Sequence, residues 1–289
     1  MSLAALTRSG TVTAPRLRAP TYRAALTTGS VLALAGYTTW LSAMAPTAGG
    51  AHWISLAILV AALASSIAGF AFSAICGAML FHLIDDPVRA VQIMMICSVG
   101  GQSLMVWALR RDIPWQRLSV FLAGAAFGLP LGVFVLLNTR PTLYAQAVGV
   151  ALVLYAFFMM TRRPLVVRRQ HTLFDAVAGF LGGVTGGAAA FPGAFVTIWC
   201  GFKGWPKEKQ RALYQPFILI VQLAAIAVMA LPDLAPKGRP AFDFAGIAYL
   251  PAMLVGATLG MACFKQLSDR QFALAVNLLL VVSGLGFLI

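Results

Sequence analysis

Apolar positions in this chain run on for far longer than a soluble core requires, and short polar connections divide them into about nine segments. These lie at 25–45, 53–84, 88–109, 115–137, 142–160, 176–202, 212–231, 244–264 and 271–289. The pattern predicts an all-α polytopic membrane protein. Two segments are too long for a single crossing. Trp53 to Ile84 holds 32 residues without Asp, Glu, Lys or Arg, and Ala176 to Phe202 holds 27. One straight helix of the first length would measure roughly 48 Å, against a hydrocarbon core of about 30 Å. Each is therefore expected to be a glycine-broken pair of half-helices, either re-entrant or split. A break leaves backbone groups unpaired, which a membrane tolerates only where they face protein or a water-filled cavity. The two breaks thus mark the expected binding region.

The broken segments open two copies of one pattern. Gly124, Gly128 and Gly132 stand against Ala252, Gly256 and Gly260 at a constant offset of 128, and Arg89-Ala90 against Arg211-Ala212 at 122. Small residues every fourth position let helix backbones approach closely, so these glycines read individually as packing seams. Their shared spacing argues duplication. The organisation expected is a basic arm (1–24), an extra transmembrane helix (25–45), repeat 1 (46–160), a basic linker (161–170) and repeat 2 (171–289). If the two broken segments enter and leave on the same side, Lys and Arg divide 17 to 4 between the two faces. The single-crossing alternative divides them almost evenly. Topology follows this bias in short loops, so re-entrant hairpins are expected, with the N-terminus cytoplasmic and Arg89, Arg140, Lys237 and Arg239 outside. Each repeat then crosses an odd number of times, which makes the repeats inverted, an architecture of transporters with a midplane site.

Composition agrees with this picture and narrows it. Hydrophobic residues make up 60% of the chain, charged residues 10%, and the mean hydropathy is +0.87. The net charge of +13 sits in connections between apolar runs, where it sets orientation rather than binding nucleic acid. The arm holds four arginines and no apolar run, and the helix after it is too long for a cleaved signal. The four cysteines are single and lie inside apolar segments, so neither a disulfide framework nor a metal site is implied. No cofactor is expected.

Candidate chemistry is neutral, because no acidic or basic residue lies in the middle of an apolar segment. That disfavours a carboxylate proton relay. Half-helix N-termini offer free N–H groups and a positive dipole end, which suits an anion. Ser73, Cys76 and Gly77 at the first break, and Thr185, Gly186 and Gly187 in the glycine run of the second, are the candidate contacts. Gln102 on the helix after the first break, and Gln215 and Gln222 after the second, could complete an oxyanion site. Arg89 and Arg211 follow the two broken segments at equivalent places and would flank its entrances. Interhelical hydrogen bonding for the glutamines and headgroup contact for the arginines are the plainer roles. A membrane-embedded enzyme would need a catalytic set, and the chain holds no HExxH, GxSxG or carboxylate pair. A transporter of a neutral or cationic metabolite remains the competing reading.

The stretches Gly69-Phe70-Ala71-Phe72-Ser73-Ala74-Ile75-Cys76-Gly77 and Gly182-Gly183-Val184-Thr185-Gly186-Gly187 each lead to a proline and a helix beginning with alanine (Pro87 to Ala90, Pro206 to Ala212). With the small-residue helices that follow, the chain resembles the sulfite exporter TauE/SafE family over roughly 53–289. The resemblance implies a multipass transporter in the bacterial inner membrane. Its partners would be lipid and a small sulfur-containing anion such as sulfite or an organosulfonate, with each broken helix lining the path. Export suits the absence of intramembrane carboxylates, because an interior-negative potential favours outward movement of one negative charge by about 2.3 kcal/mol per 100 mV.

Overall fold

The computed structural model of the chain describes residues 50–68, 71–140, 172–205, 207–231 and 242–264, with isolated positions at 36, between 143 and 157, and at 278, 281 and 285. The basic arm, the linker 161–170 and nearly all of segments 25–45, 142–160 and 271–289 lie outside the described residues. Eight α-helices are described: α1 (Ala51–Ala68), α2 (Phe72–Leu83), α3 (Pro87–Leu109), α4 (Trp115–Asn138), α5 (Thr172–Ala189), α6 (Gly193–Phe202), α7 (Lys207–Met229) and α8 (Leu250–Phe264). A 3-10 turn, Phe244–Tyr249, leads directly into α8. Both long apolar segments are broken as expected, the first into α1 and α2 and the second into α5 and α6. Helices α3, α4, α5 and α7 are each long and apolar enough to cross a bilayer.

The start of α3 is built from local chemistry. Asp86 takes extended backbone, accepts a hydrogen bond from Val88 N–H at 3.1 Å, and precedes Pro87 in the first turn. From Arg89 to Leu109 the helix then rises about 30 Å, the thickness of the hydrocarbon core. Arg89 and the short α3–α4 connection therefore mark opposite ends of the molecule.

Two glycine seams set the packing. Gly124, Gly128 and Gly132 of α4 face the carbonyls of Ala176, Phe180 and Val184 of α5 so closely that a methyl group on any of them would overlap the backbone. From the other side, Gly179, Gly183 and Gly187 of α5 face Phe121, Ala125 and Leu129 of α4. Gly256 and Gly260 of α8 meet Leu59 and Leu63 of α1 in the same way. Lipid is as apolar as leucine, so helices gain little by hiding leucine from it, and close backbone contact supplies the attraction instead. Residue numbers increase together along both seams, so α4 runs parallel to α5 and α8 parallel to α1. The motif repeated at an offset of 128 thus does one job twice: each copy seats the first half-helix of the other copy.

Hairpin orientation follows from these contacts. Asp243, which caps the 3-10 turn before α8, pairs with Arg89 at 3.4 Å. α8 therefore starts at the Arg89 end, as does its parallel neighbour α1, and α2 returns there to join α3. In the second hairpin Asp175, near the start of α5, pairs with Lys203, the residue after α6. That hairpin opens on the other face, at the Lys203 end. The two hairpins are thus re-entrant and point in opposite directions.

Overpacking a seam should cost more than enlarging an exposed position on the same helix. Gly128→Val is expected to destabilise by about 3 kcal/mol or more, or to prevent folding, whereas Ala126→Val, on the exposed face of α4, should stay within about 0.5 kcal/mol. Thermal loss of the monodisperse peak in detergent compares the two.

Candidate functional site

The hairpin tips meet. Ser73, in the first turn of α2, donates its hydroxyl hydrogen to the carbonyl of Ala190, just beyond the end of α5. Gln222 Nε2 on α7 donates to the same carbonyl at 3.0 Å. Ser73 is buried and Gln222 fully so. Ala190 has φ 53°, the left-handed region that L residues seldom occupy, and Phe191 N–H turns back to the Thr185 carbonyl at 3.1 Å. A left-handed residue at this point ends α5, and Pro192 keeps the chain from resuming before α6. A non-glycine residue held in this conformation stores of order 1 kcal/mol, which the two donors on its carbonyl help to offset.

The second half-helices, α2 and α6, both begin at this junction, and neither N-terminus has a side-chain cap. Two sets of first-turn N–H groups and two positive helix ends therefore converge on the tips. The opposing carbonyl of Ala190 is already occupied by Ser73 and Gln222. The electrostatics of the junction consequently favour a negative ligand.

At the tips, and below them towards the Lys203 end, lie buried polar side chains whose bonds are incomplete. Among the described residues no donor meets Gln102 Oε1, Gln215 Oε1 or Gln222 Oε1, and Thr197 Oγ1 has no partner. All four residues are at least nine-tenths buried. Counting helix rise from the Lys203 end, Gln102 lies about 10 Å deep on α3, Gln215 about 12 Å on α7 and Thr197 about 8 Å on α6. α3 and α6 both pack on α7, so these three share a level. Pro216 adds to the polarity there, because it has no N–H to give to the Ala212 carbonyl. A buried polar atom without a partner costs about 1–3 kcal/mol and calls for a ligand or ordered water. Amides and a hydroxyl can offer either, since each carries both donors and acceptors.

The other expected contacts divide. Cys76 and Gly77 are buried within α2, and Cys76 packs in the apolar core. Thr185 spends its hydroxyl on its own helix, donating to Leu181 O at 3.0 Å. Gly186 packs against Val221 and Pro192, and Gly187 lies in the α4 seam. The glycine run is thus inside α5 as a packing surface, and the break falls after it, at Ala190 to Pro192. Arg211 is half-buried on α7 and hydrogen-bonds the Tyr214 hydroxyl. Arg89 is more than half exposed at the outer rim of the opposite face, in its pair with Asp243. The structure therefore brings Ser73 and Gln222 together at the tips and Gln102 to the depth of Gln215, and leaves Arg89 apart.

Sequence reasoning missed the buried pair at the mouth of the second hairpin. Lys203 is 93% withdrawn from solvent, ringed by Phe121, Trp199 and Trp205 at 5.8, 5.5 and 4.8 Å, and Trp199 Nε1–H donates to Asp175. The signal was present: the 27-residue uncharged run is bounded by an acid and a base, which a re-entrant path must bring together. Trp205 is buried in this cluster, whereas Trp53, Trp107 and Trp115 are well exposed.

Antiparallel re-entrant hairpins meeting tip to tip, each seated on a glycine seam from the other half, define a polytopic membrane protein of the inverted-repeat transporter class. The family model for Sulfite exporter TauE/SafE matches residues 54–287, and the chain belongs to that family, a family of membrane transporters. Comparisons with curated proteins and with solved structures give no match.

Removing one member of the buried pair leaves the other charge unpaired. Asp175→Asn or Lys203→Met alone should each destabilise by about 3–5 kcal/mol, and the double variant by less than the sum. Thermal unfolding of the four proteins in one detergent measures the coupling.

Proposed function

We propose that this transporter exports sulfite, an organosulfonate or a related sulfur-containing anion, by alternating access between its two inverted hairpins. The observation that carries this reading is the convergence of two uncapped half-helix N-termini at a junction whose carbonyl is already satisfied. Such a site stabilises an oxyanion with N–H groups and helix dipoles and needs no buried cation, whose desolvation would be costly. Gln102 and Gln215, at one level and free of described partners, would replace part of the water lost by the anion as it rises from the Lys203 end. On this reading the Lys203 face is cytoplasmic, in keeping with its excess of Lys and Arg.

The hydrogen bond between Ser73 and Ala190 is the contact that must change for the anion to pass. While it stands, the tips are held together and the path between the faces is interrupted. An anion bridging the two N-termini would compete with it for the Ser73 hydroxyl and favour parting of the tips. An interior-negative potential would then carry the charge outward.

Gln215→Leu separates function from folding, because the amide makes no described hydrogen bond and leucine has similar volume. Saturable, potential-sensitive sulfite efflux from proteoliposomes is expected in the wild type. In the variant it should fall about tenfold or more, with thermal stability unchanged or raised. Efflux equal to wild type would remove the glutamine level from the path, and no sulfite or sulfonate flux in folded wild type would overturn the proposed cargo.

A further inference from the structure

Among the described residues, three cations gather on one buried indole away from the hairpin tips. Trp205 is 8% exposed and meets three cations: Lys203 at 4.8 Å, Arg117 at 5.1 Å and Lys209 at 4.8 Å from its ring centre. They come from three places in the chain: the end of α6, the first turn of α4 and the first turn of α7. Gln210 fixes the local backbone by donating to the Trp205 carbonyl at 2.7 Å. Like charges gathered on one ring repel, and among the described side chains only Asp175 answers them, through Lys203. Arg117 and Lys209 are left without a described carboxylate. Arg117 Nη1 is buried, and no described acceptor meets it. The first turn of α4 adds a positive helix end with no acidic residue and no side-chain cap.

We propose that Arg117 and Lys209, held on Trp205 beside the Asp175–Lys203 pair, form a second anion site, a vestibule that takes up the transported oxyanion before it reaches the tips. This rests on the anion-transport reading above. Arg117 offers a planar fork and Lys209 an exposed ammonium, and together they suit a tetrahedral or pyramidal oxyanion better than a neutral solute. Cation–π contact places Arg117 and Lys209 on the same buried Trp205 ring, at 5.1 and 4.8 Å, which gathers the pair more closely than loose surface charge. Lys203 is already paired and buried, so its part is to fix Trp205. Because the site lies at the mouth of the second hairpin, it would raise the local concentration of cargo without taking part in translocation.

The test uses the full chain with Arg117→Gln/Lys209→Gln, and a charge-conserving control, Arg117→Lys/Lys209→Arg. Sulfite and inorganic phosphate are titrated calorimetrically into each protein in uncharged detergent, and sulfite efflux is measured from phosphatidylcholine vesicles. The proposal expects the neutral variant to lose one binding event for each anion and to raise KM about tenfold with kcat within about twofold, while the control retains binding. Unchanged binding and KM in the neutral variant, with wild-type flux intact, would overturn it. Loss of the sulfite event from wild type in nanodiscs containing phosphatidylglycerol, but not phosphatidylcholine, would identify a lipid headgroup as occupant and also overturn it. If wild type moves no sulfite, the transport reading fails, and loss of phosphate binding in the neutral variant would still support an anion site at this position.

Discussion

The carbonyl of Ala190 is the point on which the two halves of the molecule depend. It lies just past the end of α5, in a residue twisted into left-handed backbone, and it accepts hydrogen bonds from Ser73 of the opposite hairpin and Gln222 of α7. In lipid an unsatisfied carbonyl at this depth would cost several kcal/mol, and two donors relieve it, Ser73 from the other hairpin and Gln222 from α7. The break in the second hairpin and its contact with the first are therefore coupled through one carbonyl. The strain at Ala190, the burial of Ser73 and the fixed position of Gln222 all follow from it.

Glycine makes that meeting possible from a distance. α4 carries α5, and α8 carries α1, through backbone contacts that no larger residue would permit. Each half thus holds the first half-helix of the other, and the two tips are presented to each other by scaffolds that contribute nothing to the junction themselves. Motion of one scaffold against the other would move a tip without disturbing its seat. Such a division of labour suits rigid-body alternation. The charged pairs reinforce it at the two faces: Arg89 with Asp243 at one, Asp175 with Lys203 at the other.

Much of this arrangement was legible in the sequence. Helix length against bilayer thickness favoured a break in the 32- and 27-residue runs, and the count of basic residues favoured the return of each to its own side. Both conclusions come from strong, additive physics, and the Asp175–Lys203 pair realises the second directly. The glycine spacing at an offset of 128 identified the seams but not their partners, because a close-packing motif says nothing about what it packs against. The break in the second hairpin was harder to place. Six residues that include four glycines look like the weakest point of a helix, yet in α5 those glycines are consumed by α4, α7 and Pro192, and the turn falls to Ala190. Tertiary packing overrode local propensity there. Gln102, Gln215 and Gln222 stood out as polar residues on apolar helices, but Thr197 did not, since threonine usually satisfies itself against its own helix.

On the transport mechanism proposed above, the tips must part for cargo to cross. Cysteines introduced at Ala71 and Ala190, which leave the Ser73 hydroxyl and the Ala190 carbonyl in place, can be bridged in a protein otherwise free of cysteine by a short bifunctional thiol reagent and released by reduction. Sulfite efflux from proteoliposomes should stop when the bridge forms and return when it is cut. Efflux that continues at the same rate with the tips covalently joined would show that cargo crosses without their separation.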